Sequence, residues 1–435
     1  MKYEEQLSRL IRCETISEAG VENREKFEAF HRVLFEVFPL FHENVTVEEF
    51  HSSLVMRWKG RAPDRAPVLA MSHHDVVEAP GEWKYPAFSG AVAEGRVWGR
   101  GTLDTKNNLW AMICAAEELM REGFRPACDI YFISPCNEET TGEGAQEIVA
   151  AFKSRNIHPK FMLDEGGYII SQPLPGAEGL FAMVGVAEKS CIDIKFTARG
   201  NGGHASNPGP DTALVRLGKF MAAAEKDKKL FPAQMHPVTA AMLGHIAPHL
   251  SGALKFLFSH ISATKALLTR LMPKVSTVAG GLLKTTLAFT MAGASDGANV
   301  LPQEAWVVGN MRASIHQGPE DSVKAAADLA KKFDIETEVI SPGVKSTPAD
   351  LEGEGYRLVE DTIHKIFPGV EVTPYILLGA TDSRYFEEIC GSCIRFAPFI
   401  IDDQQFNSLH AVNENINIET LPGAVKFFRE IFREV

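Results

Sequence analysis

The chain has 435 residues and a formal net charge of -12, with 45% apolar and 23% charged residues. This composition is typical of a soluble globular protein, and the length exceeds what one hydrophobic core usually supports, so we expect two domains. The acidic balance argues against nucleic acid as a partner, because no excess of basic charge offsets repulsion by phosphate groups.

Three features bear on where the protein acts. Residues 1–20 have the polar, amphipathic character of a helix start and not that of a secretory signal. The seven scattered cysteines fit a reducing compartment, and Cys390 and Cys393 are interpreted as small apolar residues beside a strand. The longest uncharged run, 231–254, contains three prolines and would span a membrane poorly. We therefore predict a cytoplasmic protein without a membrane partner.

The first third of the chain alternates helical and strand patterns. The predicted elements are a helix over 22–38, a strand over 66–71, a helix over 109–122 that ends at Gly123, and strands over 130–134 and 161–163. The three strands are short apolar runs of the kind buried in parallel sheets, and His, Asp or Glu follows each one closely. Because sites in open α/β sheets form at the carboxyl ends of strands, we expect one site to collect these side chains.

The middle of the chain follows the order β-α-β-β-α-β. The predicted elements are a strand over 191–198, a helix over 211–228, strands over 285–291 and 305–311, a helix over 319–333 and a strand over 335–340. An apolar insertion, about 231–284, separates the first helix from the second strand. After residue 346 the earlier pattern resumes, with a helix over 354–366, strands over 374–378 and 393–396, and a final helix over 421–433.

These patterns predict an α/β fold. A domain with a mostly parallel sheet flanked by helices is interrupted by an inserted α+β, ferredoxin-like domain. The first domain is predicted to comprise 1–188 and 346–435, and the inserted domain 189–345.

The polar residues near the strand ends predict a site for two metal ions. His73 and Asp75 lie on one face of an extended segment, so Asp75 can hold an N–H of the imidazole. A second carboxylate, Asp104, follows in a Gly-flanked turn. A hydrolytic two-metal site also needs one carboxylate that bridges the ions and one free carboxylate that handles protons. The adjacent Glu138 and Glu139 suit this last task, since one can bind metal while the other accepts a proton from water.

The ordered motifs resemble those of a known family. They are His-x-Asp-Val-Val at 73–77, Gly-Arg-Gly-x-x-Asp-x-Lys at 99–106, Asn-Glu-Glu at 137–139, Asp-Glu-Gly-Gly at 164–167, Gly-Gly-His-Ala-Ser-x-Pro at 202–208 and Leu-His at 409–410. Together they resemble the co-catalytic zinc metallopeptidases, which include acetylornithine deacetylase, succinyl-diaminopimelate desuccinylase, aminoacylase-1 and carboxypeptidase S. The segments 285–288, 298–302 and 310–312 resemble the carboxypeptidase S and N-acyl-amino-acid hydrolase branch.

The resemblance implies five metal ligands for two zinc ions. His73 and Asp164 would bind one ion, and Glu139 and His410 would bind the other. Asp104 would bridge them. Cobalt or manganese could substitute for zinc, because sites built from Asp, Glu and His accept several metals.

The resemblance also implies the residues that act on substrate. Glu138 would be the general acid and base, and Asp75 would orient the first histidine ligand. His204 would polarise the scissile carbonyl from the partner subunit of a homodimer. The domain 1–188 and 346–435 would then be catalytic, and the inserted domain 189–345 would serve as a lid and for dimerisation. Asn299 and Arg312 would hold a free carboxylate of the substrate, since the planar guanidinium matches a carboxylate.

The activity implied is hydrolysis of the amide bond of a peptide or N-acyl amino acid that carries a free carboxylate. Water held between the metals would attack the carbonyl, and no covalent intermediate is needed. A dipeptidase, a dedicated acetyl or succinyl deacylase, and a non-catalytic binding module with the same fold are the alternatives.

Four points stay open at this stage. His74 neighbours His73, but only the latter has the H-x-D spacing. Glu165 competes with Asp164, which is favoured because it directly follows the apolar strand. The loop 379–384 resembles a substrate-side loop without an assignable contact. The insertion either packs as core or forms an apolar cover for an acyl chain.

Overall fold

The computed structural model describes residues 1–20 and 23–435. The elements up to residue 188 are α1 Tyr3–Ile11, α2 Arg24–Val37, α3 Pro39–Asn44, β1 Val45–Phe50, β2 Ser53–Trp58, β3 Val68–Met71, β4 Ala91–Ala93, β5 Arg96–Trp98, α4 Lys106–Arg121, β6 Ile130–Ser134, α5 Glu143–Ser154, β7 Phe161–Asp164, β8 Ile169–Ser171 and β9 Leu180–Glu188. The helix predicted over 22–38 is α2, and its predicted first residue lies outside the described residues.

The chain then forms a second group of elements. They are β10 Ser190–Arg199, β11 Gly203–His204, α6 Ala213–Lys226, α7 Pro237–Ile246, α8 Gly252–Ser259, α9 Ile261–Val275, α10 Thr277–Gly281, β12 Thr286–Gly293, β13 Val300–Leu301, β14 Glu304–Ala313, α11 Gly318–Lys331 and β15 Glu336–Ser341. The last group is α12 Glu354–Ile366, β16 Val370–Leu377, α13 Ser383–Phe386, β17 Cys393–Arg395, β18 Ile400–Ile401, α14 Asp403–Phe406, β19 Asn415–Asn417 and α15 Leu421–Glu434.

A ten-stranded sheet forms the larger part of the fold. Its strand order is β1-β2-β6-β3-β7-β17-β9-β8-β18, with β16 paired to β9. The four central strands β6, β3, β7 and β17 run parallel. Alternate side chains of β3 enter two apolar clusters, one shared with α4 and α15 and the other with α5. Helices therefore cover both faces, which explains why the central strands read as continuous apolar runs.

A four-stranded antiparallel sheet carries the predicted β-α-β-β-α-β order. Its strands follow one another as β12-β14-β10-β15, and α6 and α11 pack on it around a separate apolar core. The chain leaves the large sheet at Glu188 and enters the smaller one at Ser190. This is the mixed α/β fold with an inserted ferredoxin-like unit that the sequence predicted.

The apolar insertion is helical and packs mainly on the large sheet. Residues of α7 form a core with Phe181 and Met183 of β9. Among the apolar side chains of this segment, buried ones include Met242, Leu250, Phe258, Leu268 and Met272, and exposed ones include Leu254, Phe256, Leu267 and Leu271. The packing interpretation therefore holds for only part of the segment. Among the described residues, no helix combines the length and apolar character needed to cross a bilayer.

The main elements that the sequence patterns missed are β1, β2, α5 and β9. Strand β9 is almost wholly buried, but Gly185 interrupts its apolar run. A Cβ at this position would lie 2.1 Å from a methyl carbon of Leu377, so the neighbouring strand approaches too closely for any side chain. Strand β16 begins at Val370, four residues before the predicted start at Pro374. The strand therefore contains a proline, which an edge strand paired with one neighbour tolerates.

Candidate metal centre

Three adjacent parallel strands deliver polar residues to one edge of the large sheet. Strand β3 ends at Met71, shortly before His73, and β6 ends at Ser134, shortly before Glu138 and Glu139. Strand β7 ends at Asp164 itself. Because β3 lies between β6 and β7 and is parallel to both, the three carboxyl ends meet.

Asp75 is fully buried and connects His73 to the loop that carries Glu138 and Glu139. Its Oδ1 lies 3.3 Å from Nδ1 of His73, and it accepts the backbone N–H of Glu138 at 3.2 Å. Its Oδ2 accepts the backbone N–H of Glu139 at 3.1 Å and the hydroxyl of Ser17 at 2.6 Å. One carboxylate thus fixes both the His73 ring and the backbone that carries the two glutamates.

Asp104 lies between two histidines that come from distant parts of the chain. Its Oδ1 is 3.1 Å from Nε2 of His73, and its Oδ2 is 2.9 Å from Nε2 of His410. The same His410 nitrogen lies 3.2 Å from Oε2 of Glu139. His410 has a left-handed backbone (φ 57°), which is uncommon for a residue with a side chain and frequent at functional sites.

The chemistry of this donor set fits metal ions. His73, Asp104 and Glu139 each offer a ligand atom within 4.8 Å of the others. Donors bound about 2.1 Å from a tetrahedral zinc lie roughly 3.4 Å apart, close to the separations around Asp104. Among the described residues, the buried Oε1 of Glu139 and Oδ2 of Asp164 have no hydrogen-bond partner. Buried carboxylate oxygens without a partner are costly unless a cation balances them.

The protonation of the cluster follows from these contacts. Burial opposes ionisation of Asp104, but hydrogen bonds from His410 and His73 outweigh it and hold the Asp104 pKa below its ordinary value. Hydrogen bonds to Asp104 and Glu139 raise the pKa of His410 to about 10. In the absence of metal the histidines thus act as the cations that balance the carboxylates.

The remaining carboxyls of the centre resist ionisation because they are buried together. Burial raises the pKa of Glu138 well above its ordinary value, and nearby Asp382 and Glu165 add to the increase. Burial likewise raises the pKa of Asp164 to about 6 and that of Glu165 well above its ordinary range. Both Asp164 and Glu165 therefore belong to the same desolvated acidic group, and the contacts do not separate them as ligands.

His74 faces away from the centre. Its ring stacks on Phe30 with centroids 4.9 Å apart, and its Nδ1 lies 2.9 Å from the hydroxyl of Ser134. Burial, together with the nearby His31, lowers the pKa of His74 well below its ordinary value. The neighbouring histidine is thus a neutral core residue.

Glu414 holds the Asp104 turn in place and was not singled out in the sequence. Its Oε1 accepts the backbone N–H groups of Gly101, Leu103 and Asp104, and its Oε2 accepts Nη1 of Arg100 at 2.6 Å. Both charged side chains are buried. The only feature of the sequence that could have indicated its role is its position four residues after His410, within an otherwise polar loop.

The loop 379–384 lies against the loop between β6 and α5, which carries Glu138 and Glu139. It is also hydrogen-bonded to Glu188, the residue that precedes the inserted unit. Asp382 is buried, and a Cβ on Gly142 would lie 2.8 Å from its Oδ1. Thr381 donates its backbone N–H and hydroxyl to Oε2 of Glu188, which also accepts Nε of Arg395 at 2.9 Å. The final residue of β9 thereby positions the loop beside the centre.

The three residues predicted to meet substrate lie on the inserted unit. His204 is exposed, its Nδ1 lies 2.7 Å from the hydroxyl of Ser206, and Ala205 donates its backbone N–H to the carbonyl of Asn299. Among the described residues, neither His204 nor Asn299 makes a hydrogen bond or ion pair with the metal-centre side chains. The structure thus brings His204 and Asn299 together, and no polar contact links this pair to the centre among the described residues.

Arg312, which is partly buried, lies near the buried side chain of Lys189. Lys189 donates its Nζ to the carbonyls of Gly281 and Lys284, and burial with nearby Arg312 and Lys284 lowers the Lys189 pKa to about 7. Arg312 itself donates Nε to Asn310 at 3.2 Å. This group has positive charge without a carboxylate partner among the described residues, as a site for an anionic group would.

Removal of a bound metal ion is expected to lower the thermal stability of the protein. Zinc that binds the native centre but not the unfolded chain adds about 2.7 kcal/mol at a free concentration of 100 times Kd. Melting curves with chelator and with added zinc measure this shift. His410→Ala should remove most of the zinc dependence, whereas His51→Ala, which alters an exposed histidine beside Glu147, should retain it. An equal zinc response in both variants would contradict the assignment.

Comparison with known proteins places the chain in a family. Residues 69–434 match the model of Peptidase family M20/M25/M40. The chain is 30% identical to N-fatty-acyl-amino acid synthase/hydrolase PM20D1 of Bos taurus, over 99% of this chain and 87% of that protein. It is 30% identical to a probable carboxypeptidase S-like 2 of Dictyostelium discoideum, over 94% of this chain and 79% of that protein.

A solved structure shares the fold. The M20 family metallo-carboxypeptidase Sso-CP2 from Sulfolobus solfataricus superposes with a TM-score of 0.74 at 15% identity, covering 99% of this chain and 98% of the other. At this level of identity the likeness establishes the fold, and the family follows from the sequence match. The chain therefore belongs to Peptidase family M20/M25/M40 and is a metal-dependent hydrolase of amide bonds.

Proposed function

We propose that the protein is a di-zinc hydrolase that cleaves the amide bond of peptides or N-acyl amino acids bearing a free carboxylate. The observation that carries the proposal is the arrangement of Asp104, whose two oxygens each face a different histidine, His73 and His410. A carboxylate that is shared in this way suits a bridge between two ions.

The proposed ligands are His73 and Asp164 on one ion, Glu139 and His410 on the other, and Asp104 on both. The unpartnered oxygens of Glu139 and Asp164 support this set. Asp164 is preferred over Glu165 because it ends β7, directly beside the strand that leads to His73. Cobalt and manganese remain possible occupants of the same donors.

Glu138 is proposed as the residue that moves protons. Bound zinc ions would supply Lewis-acid activation of water and of the scissile carbonyl. Glu138 accepts the proton of the attacking water and returns it to the departing amine, for which a pKa raised by burial is favourable. Asp75 holds the His73 ring in position, as carboxylates commonly do for ligand histidines.

The substrate carboxylate is proposed to bind near Arg312. The buried Lys189 beside it supports an anion site, since an arriving carboxylate would stabilise both cations. We propose that Asn299 contributes to this contact and that His204 polarises the carbonyl of the partner subunit's substrate. Among the described residues, His204 makes no hydrogen bond or ion pair with the metal-centre side chains of its own chain, which is consistent with such a homodimer.

The division of the chain is proposed accordingly. Residues 1–188 and 346–435 would form the catalytic domain, and 189–345 the lid and dimerisation domain. A cytoplasmic location remains a proposal, supported by seven cysteines that are all free thiols.

Two candidate substrate classes differ in the acyl group that they carry and in the amine that hydrolysis releases. One relative carries a name that refers to N-fatty-acyl-amino acids and another a name that refers to carboxypeptidase S. The first class would be N-acyl amino acids with long chains, and the second would be peptides cleaved at their carboxyl end. Dipeptides and small acetyl or succinyl derivatives are the remaining alternatives.

The test is hydrolysis of a matched panel by zinc-loaded protein. The panel holds N-acyl amino acids of increasing acyl length, dipeptides and longer peptides, with the same substrates amidated at the carboxyl end as controls. We expect activity only on substrates with a free carboxylate, and the preferred acyl length names the class. Equal cleavage of the amidated controls would contradict the proposed carboxylate contact.

A further inference from the structure

One segment of this acidic protein contains no acidic residue. Residues 228–295 have no Asp or Glu but seven Lys or Arg, whereas all 56 acidic residues of the chain lie outside the segment. The segment includes α7 to α10, so the charge asymmetry maps onto one group of helices. An uneven charge distribution of this kind creates a local positive field on an otherwise negative molecule.

The same helices expose large apolar side chains beside the basic ones. The cationic apolar face is defined by Leu254, Phe256, Leu267, Leu271, Val275 and Val278 together with Lys255, Lys265, Arg270 and Lys274, all exposed. Phe256 is 62% exposed and Val275 84% exposed. On α9 the apolar members follow a spacing of four residues, so they form one stripe, and Arg270 and Lys274 lie one turn from its members.

The face is held rigidly from behind. Phe258 of α8 and Leu268 and Met272 of α9 are buried in the cluster that the insertion shares with the large sheet. The opposite sides of α8 and α9 are therefore already packed in the core. The exposed stripe is a second apolar side of these helices, and the helices do not need it to pack on the large sheet. Helix α10 ends at Gly281, where a Cβ would lie 3.8 Å from Leu378. Leu378 directly precedes the loop 379–384.

Among the described residues, the basic side chains of the face form no ion pairs, and Lys255 donates Nζ to the carbonyl of Pro248 at 3.2 Å. Lys265, Arg270 and Lys274 form no ion pair within the part of the chain that the structure describes, whereas exposed basic residues on α11, such as Lys324, pair with carboxylates of their own helix. Unpaired basic residues that flank an apolar stripe are the pattern by which helices bind an anionic lipid surface.

We propose that the cationic apolar face docks the protein on an anionic bilayer surface, which departs from the sequence-based prediction of no membrane partner. The apolar side chains would enter the headgroup region while the lysines and the arginine contact lipid phosphates. A twofold contact of the face with itself is disfavoured, because it would bring like charges together. The acidic remainder of the chain would be repelled by such a bilayer and would keep this face oriented toward it.

The test is vesicle binding by the zinc-loaded full chain. Sedimentation with phosphatidylcholine vesicles, with and without phosphatidylglycerol, should show binding that needs the anionic lipid and weakens at high salt. Each basic residue near such a surface contributes about fivefold to partitioning, so the triple change Lys265→Glu, Arg270→Glu, Lys274→Glu should weaken binding by at least about tenfold. The double change Leu267→Ser, Leu271→Ser should weaken binding at all salt concentrations.

The matched control reverses the same number of charges elsewhere. Lys324→Glu, Lys331→Glu, Lys332→Glu alters two exposed lysines of α11 and the exposed lysine that directly follows it, and should retain more of the vesicle binding. Equal loss in both triple variants, or no preference of the wild type for anionic vesicles, would overturn the proposal. A dimer that dissociates in the double serine variant would assign the face to a second copy instead. A selective rise in KM for long acyl substrates in that variant, without vesicle binding by the wild type, would assign it to substrate.

Discussion

Glu138→Gln is expected to lower kcat by about 10²–10⁴-fold, the usual contribution of a general acid and base. Glutamine keeps the size of the side chain but accepts no proton, so the water and the departing amine lose their proton carrier. The backbone N–H of residue 138 still donates to Asp75, and the loop should therefore keep its shape. KM should change little, because the lost interaction acts in the transition state.

The kinetic effect must be separated from loss of metal. Zinc content and melting temperature of Glu138→Gln should equal those of the wild type. Glu143→Gln changes an exposed glutamate at the start of α5, five residues along the same segment, and should retain activity. Wild-type kcat in Glu138→Gln, or a parallel loss of zinc, would contradict the assignment of Glu138 as the proton carrier.

Glu414→Ala is expected to cost about 3–5 kcal/mol, because removal of one partner of a buried ion pair leaves the other charge unpaired. Arg100 would lose its carboxylate, and three backbone N–H groups of the Asp104 turn would lose their acceptor. Zinc affinity should fall as well, since this turn positions the proposed bridging carboxylate. Thermal melting and zinc titration measure the two effects.

The control for this change lies a short distance along the chain. Glu419→Ala removes an exposed glutamate that has no ion pair among the described residues, and its melting temperature should match that of the wild type. Glu414→Ala with wild-type stability would show that the buried pair adds nothing to the fold. Reduced stability with unchanged zinc affinity would show that the turn keeps its shape without Glu414.

Local sequence patterns predicted the strands that bear the centre because those strands are buried on both faces. Continuous apolar runs followed by His or acidic residues mark β3, β6 and β7, and parallel pairing brings their ends together. The contact between Asp104 and His410 spans 306 residues, and no periodicity encodes it. The expectation that His410 binds metal came instead from the resemblance to known motifs.

Other features escaped prediction for physical reasons. Glu414 looks like any polar loop residue, because its role depends on three backbone N–H groups far away in sequence. The insertion has an apolar composition that predicts packing, but composition does not say which side of each helix faces the sheet. The exposed Phe256 and the buried Phe258 are two residues apart in α8, and only the packed arrangement distinguishes them.

The position of β17 has a consequence for biosynthesis. This strand begins at Cys393, yet it lies inside the large sheet between β7 and β9. During translation the amino-terminal segments leave the ribosome first and can begin to fold, but the sheet stays open in the middle until this late strand emerges. His410 follows still later, so the nascent chain lacks a proposed metal ligand until residue 410 has been made. Hydrolysis of amide bonds is therefore expected to begin only after that point of synthesis.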